Sequence, residues 1–186
     1  MTRTLIALGV AALIAANPPA NPPAAAVKYP ITGENTKLEF VGTKPNGKHE
    51  CGFKKLSGTA TVTDGKLETL QIEVEIDCDS IYTDDPSGKL TAHLKQPDFF
   101  GVKDNPKATF KTTKVEKTEK GYQITGDLTM IGKTKPVTFP ASVTLAPDAV
   151  LLATAFTIDR TDWGMKYGQG MIDDKVTIKV AMTAKK

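Results

Sequence analysis

Two histidines, two cysteines and one arginine account for most of the chemistry open to this chain. His49 and His93 are the only histidines, Cys51 and Cys78 the only cysteines, and Arg160 is the only arginine after Arg3. Catalysis needs a nucleophile, a base or a metal held in a cleft, and neither histidine has a partner at ligand spacing. His49-Glu50-Cys51 is the nearest approach to a metal cluster, but strand alternation turns Glu50 away from its two neighbours. His49 is therefore expected at the surface or on a rim. His93 is expected in a short helix, bonding backbone or orienting the polar end of a ligand. No serine triad is present, so the sequence predicts no catalytic residue, no bound metal, no cofactor and no enzyme.

The run Asp159-Arg160-Thr161-Asp162 isolates the one arginine among carboxylates. Arginine makes fixed, forked bonds to carboxylates, which predicts an ion pair with Asp159, Asp162 or Asp98 and a structural role, with ligand contact as the lesser alternative. Trp163-Gly164-Met165 then reads as a turn carrying a large apolar plug, either core or cavity lining. Thr63-Asp64-Gly65-Lys66 is a hairpin signal. With a two-residue turn at Asp64-Gly65, Cys51 and Cys78 fall directly opposite one another, within reach of a disulfide. A bulge near Lys55-Leu56 would spoil that register and leave two separate buried thiols.

The elements that must position these residues are strands. Residues 70–77 and 176–182 alternate apolar and polar without a break, as half-buried strands do. Less regular strands are expected at 37–42, 50–63, 108–115, 122–129, 136–145 and 150–158, making eight. Short turn signals separate them, which favours an antiparallel meander. Eight such strands can close into a barrel with no exposed edge, of a size that holds one ligand or packs solid. The exception is the long connection from Asp77 to Pro106, where a short helix is expected in the loop around 86–97 and Phe99-Phe100 would seal the barrel end or meet a ligand.

At 186 residues and 40% hydrophobic content, one domain with a substantial core is expected. Arg3, the apolar run 5–16 and the Pro/Ala stretch after it read as a secretory signal over residues 1–26, too short to span a bilayer, with the domain at 27–186. Without Arg3 the formal balance is 23 basic against 21 acidic side chains. The lysines are scattered, with no dense basic stripe, so nucleic acid is not expected as a partner.

The segment His93-Leu94-Lys95-Gln96-Pro97-Asp98-Phe99-Phe100 resembles a signature of the YceI-like family. Asp79-Ser80-Ile81, 106–111, 126–129, 131–137 and 158–165 follow the same family's order. The resemblance implies an all-β, eight-stranded antiparallel, lipocalin-like barrel, exported to the periplasm or beyond. It implies a carrier or store for a long polyisoprenoid or prenyl-quinone lipid, transient membrane contact, and a monomer or homodimer. The alternative is a filled, non-catalytic interaction barrel acting in stress response. The ligand wall would come from inward strand positions: Phe40 and Phe53, then Ile72, Val74 and Ile76, then Phe110, Ile124 and Leu128. Phe139, Phe156, Ile158 and Ile178 continue it, with His93, Phe99, Phe100 and Trp163 near the ends, while Asp159, Arg160 and Asp162 hold structure. Leu70, Val176 and Val180 are further inward candidates. Two departures from the family's commoner pattern, Leu90 ahead of the His-Leu pair and the long hairpin 42–49, lie where a ligand could enter.

Overall fold

The computed structural model describes residues 24–186; most of the expected signal segment lies outside them. Eleven strands run in antiparallel pairs: β1 Ala26–Thr32, β2 Thr36–Lys44, β3 Gly47–Phe53, β4 Leu56–Thr63, β5 Lys66–Asp77, β6 Ile81–Thr83, β7 Lys107–Thr118, β8 Gly121–Met130, β9 Lys133–Leu145, β10 Ala149–Asp159 and β11 Lys175–Lys185. One short helix, α1 Lys89–Leu94, and 3-10 turns at Cys78–Ser80 and Arg160–Trp163 complete the fold.

The eleven strands amount to eight long ones. β1 runs into β2 through Gly33-Glu34-Asn35, β3 into β4 through Lys54-Lys55, and β5 into β6 through the first 3-10 turn. The ladder stays continuous across these joints, because the Lys54 N–H donates to the Ser80 carbonyl at 3.2 Å and the Asp77 N–H to the Lys55 carbonyl at 3.1 Å. Neighbours follow in the order β1-β4-β5-β7-β8-β9-β10-β11-β2-β3-β6. Since β11 pairs with β2, and β2 continues from β1, the sheet returns to its starting strand and closes. Curling hides most of the sheet's edge, the reason a meander of amphipathic strands does so, although β1 is hydrogen-bonded to β4 alone and β9 meets β10 only over 142–145.

Three expectations need correction. The segment 50–63 is two strands, interrupted by a kink at Lys54-Lys55, and β1 and β6 add to the expected eight segments. The short helix expected around 86–97 is α1, bounded by Gly88 (φ 72), which still belongs to the preceding turn, and by Pro97, which cannot continue a helix. Asp64-Gly65 does form a two-residue turn with both φ positive, pairing Thr63 with Lys66, but a bulge then shifts the register so that Thr61 meets Gln71.

That shift, and the kink, also undo the expected disulfide. Cys51 lies opposite Phe40 and Thr83, while Cys78 sits in the 3-10 turn, and both thiols are free and buried. Burial pushes the Cys51 thiol up to about 12 and the Cys78 thiol up to about 11.

Two apolar clusters make up the interior of the barrel. One contains Ala60, Val62, Leu70, Ile124, Val150 and Trp163; the other contains Cys51, Phe53, Leu94, Phe99, Phe100 and Met165. Between them, inward apolar residues such as Phe40, Val74, Phe110, Leu128, Phe156, Ile178 and Val180 are only partly buried. Their residual exposure faces a space inside the barrel.

Candidate ligand cavity and its rim

The space between the two clusters is a cavity of about 280 Å³. Strand alternation makes its wall apolar, because every second residue points inward and those positions are nearly all Leu, Ile, Val, Met or Phe. Phe139 and Phe156 stack at 4.2 Å between centroids, with Phe110 against Phe139 at 5.8 Å. Across the cavity Phe53 meets Phe100 edge-on at 5.4 Å, and Phe40 leans on both. Such pairs hold their geometry beyond what burial alone provides.

Most of the expected wall residues do face this cavity: Phe40, Phe53, Ile72, Val74, Ile76, Phe99, Phe100, Phe110, Leu128, Phe139, Phe156, Ile158 and Ile178. Val176 and Val180 join them. Ile124 and Trp163 do not, since both are sealed in the first apolar cluster, where the Trp163 Nε1–H donates to the Leu128 carbonyl at 3.1 Å. His93 stands outside the wall too. Its Nε2 lies 2.7 Å from an Asp98 carboxylate oxygen, and its ring packs edge-on against Phe99 and Tyr167. Sequence reading missed Leu38, Met130, Val137, Leu152, Met165 and Met182 as wall residues. Alternation in β9 through β11 carried the signal for Val137, Leu152 and Met182.

The cavity reaches the surface between the β2–β3 hairpin, through Thr43, Lys44 and His49, and the segment 164–174, through Ile172 and Asp173. Arg160 closes the neck of that segment. Its Nη1 donates to the Met165 carbonyl at 2.6 Å, its Nε to the Asp173 carbonyl at 3.1 Å and its Nη2 to Asp174 at 2.9 Å. The ion pair is thus with Asp174, not with Asp159, Asp162 or Asp98, because the loop folds back on the arginine from fourteen residues downstream. Asp159 instead caps the 3-10 turn, accepting the Thr161 hydroxyl at 2.6 Å and the Thr161 N–H at 2.9 Å. These two bonds hold its carboxyl below the ordinary carboxylate value. Asp162 is exposed.

Further along, the loop is pinned at two places. Tyr167 rests on His93 at 4.6 Å and on Phe99 at 5.3 Å. The Thr43 hydroxyl donates to the Asp173 carboxylate at 2.5 Å, and the Asp173 N–H to the Thr43 carbonyl at 2.9 Å, tying the loop to β2. Beside it, the Asp84 carboxylate accepts the Glu50 N–H at 2.9 Å and meets His49 Nδ1 at 2.8 Å; both bonds lower its pKa. Among the described residues no group of three metal-ligating side chains converges.

Residues 29–184 match the YceI-like domain. The chain belongs to the YceI-like family. Among curated relatives, a UPF0312 protein of Pseudomonas putida (strain GB-1) is 40% identical over 91 residues, 48% of this chain and 46% of its own. Protein YceI of Escherichia coli O17:K52:H18 is 36% identical over 91 residues, 49% of this chain and 47% of its own. The aligned stretch thus spans about half the length of these relatives. Among solved structures, Burkholderia cenocepacia BcnA superposes with a TM-score of 0.73 at 25% identity, covering 81% of this chain and 96% of that one. A polyisoprenoid binding domain from Saccharophagus degradans, implicated in plant cell wall breakdown, gives 0.64 at 14% identity, covering 85% and 97%. The barrel fold is therefore shared with these two solved structures.

Proposed function

We propose that this YceI-like barrel is an exported, non-catalytic carrier or store for a long-chain isoprenoid lipid, held with its tail between the two apolar clusters. The observation that carries the reading is the apolar cavity inside the barrel, with polar side chains where it meets the surface. Each methylene moved from water into such a wall gains about 0.8 kcal/mol, so a few isoprene units suffice for binding without a charged contact. Ordering a flexible chain offsets part of that gain. An engineered apolar cavity of roughly 150 Å³ holds one benzene. By that measure the space accommodates only the first few isoprene units, and a longer tail would extend past the rim or push the clusters apart.

Residues 1–26 support export to the periplasm or beyond, where transient contact with a membrane would load and unload the lipid. A second reading, a filled interaction barrel acting in stress response, draws on the cavity's size. It lies at the low edge of the roughly 300–1,000 Å³ usual for ligand sites. The test is solvent extraction and mass spectrometry of the protein purified without detergent from an exporting host. A prenyl lipid at near-stoichiometric amount is the expected result. Empty protein that also takes up no added prenyl quinone would favour the filled barrel.

A further inference from the structure

The β9–β10 hairpin is zipped only beside its turn. Residues 142–145 pair with 150–153, but among the described residues no backbone pair joins 133–141 of β9 to 154–159 of β10. Over those stretches β9 stays paired with β8, and β10 with β11, so the two strands part from each other and not from the sheet. Pro136 and Pro140 give the reason, because proline has no N–H to donate and sheets tolerate it at an edge. Side chains alone bridge the resulting seam. The Thr154 hydroxyl donates to the Pro140 carbonyl at 2.6 Å, and Phe139 stacks on Phe156 at 4.2 Å with their planes 10° apart.

Both lips of the seam border the cavity, Val137 and Phe139 on one strand and Thr154, Phe156 and Ile158 on the other. Outside, the lips are uncharged. From 136 to 145 and from 149 to 158 there is no Asp, Glu, Lys or Arg, and the exposed outward positions include Pro136, Pro140, Leu151, Ala153, Ala155 and Thr157. Charges stand only at the border of this strip: Lys135 and Asp159 at its end, Asp127 on β8 opposite Pro136, and Lys179 on β11 opposite Ala155. A hydrocarbon chain can lie on such a surface without stripping water from a charge. The cavity itself has room for the first few isoprene units, so a longer tail must continue elsewhere. We propose that the seam is a lateral passage, through which the tail of a bound lipid leaves the cavity and lies along the uncharged outer face of β9 and β10. This rests on the lipid-carrier reading and adds to it a second subsite, for the tail. Opening the passage breaks no backbone ladder; the two stacked rings turn aside and Thr154 releases one carbonyl.

The test loads the full chain, from neutral vesicles, with a long-chain prenyl alcohol that carries a diazirine at the far end of its tail. After photolysis the adducts are mapped by peptide mass spectrometry. They are expected within 136–142 and 151–158. Adducts confined to the mouth, at 42–49 and 164–174, or to inward residues away from the seam overturn the passage and leave the carrier reading intact; no adduct above that on protein denatured beforehand overturns both. Ala155→Lys, which sets a second cation beside Lys179 on the outer face, should lower the ratio of long-chain to short-chain prenyl alcohol retained by at least about threefold. Gln71→Lys, an exposed position on β5, should leave that ratio unchanged. Equal ratios in the two variants overturn the path along the outer face.

Discussion

Arg160 and the two cysteines show how a side chain's role follows from what surrounds it. Arg160→Ala would strand Asp174 and two loop carbonyls. We expect a loss of about 2–3 kcal/mol in chemical denaturation, below the figure for a fully buried pair because Asp174 is 37% exposed. Arg160→Lys keeps the charge but not the fork, and should lose about half as much. The expected pairing failed because an arginine's partner is chosen by the fold: three carboxylates near it in sequence or motif lost to one brought back by the loop. The cysteines make the same point. With their thiols pushed up to about 12 and about 11, neither is a thiolate at neutral pH. Both should resist a thiol reagent in the folded protein and react fully in denaturant, with the mass unchanged by prior reduction. A native chain that labels rapidly, or that gains two thiols on reduction, would contradict this.

At the scale of elements, the joints matter more than the strand centres. Gly33 joins β1 to β2 where a Cβ would strike the Lys54 carbonyl oxygen, whereas one added at Gly42 meets nothing within 4 Å. Gly33→Ala should therefore destabilise by about 2 kcal/mol, and Gly42→Ala by less than about 0.5. Equal midpoints for the two variants would refute the continuous β1–β2 strand. The second joint, the 3-10 turn after β10, depends on the Asp159 cap. Because the Thr161 bonds lower its pKa in the folded state, the unfolded chain binds the proton more readily. The cap's contribution is then complete above the ordinary carboxylate value near 3.9 and is lost as pH falls through the lower folded value. Asp159→Asn should flatten the acid limb of thermal stability below about pH 4, and an unchanged limb would remove the cap from the account. Uninterrupted alternation made the central strands plain in the sequence. β6 and the kink at Lys54-Lys55 were not, since three residues are too few to show a period and a kink depends on the neighbouring strand.

For the whole molecule, the consequence of closure is an interior with two packed clusters and a hollow bordered by both. Val74 lines that hollow without belonging to either cluster's buried set. Val74→Phe should reduce the amount of added prenyl quinone retained while holding the melting temperature within about 3 °C, since the ring enters open space instead of an already packed core. Retention at the wild-type level would place the ligand elsewhere. The inward positions were largely readable from the sequence, because alternation sorts residues by face wherever one side of a sheet is dry. What alternation does not sort is depth: Ile124 and Phe139 look alike along their strands, yet one is sealed in the first apolar cluster and the other also borders the cavity. The amino-acid sequence by itself determined the all-β class, the eight long strands, the inward face and, through ordered motifs, the family. Only the tertiary structure decided the register past the bulge, the separation of the two thiols, the pairing of Arg160 with Asp174 and the position of the hollow. Those depend on which distant residues closure brings together, and a period along one strand holds no information about its distance from either end of the barrel.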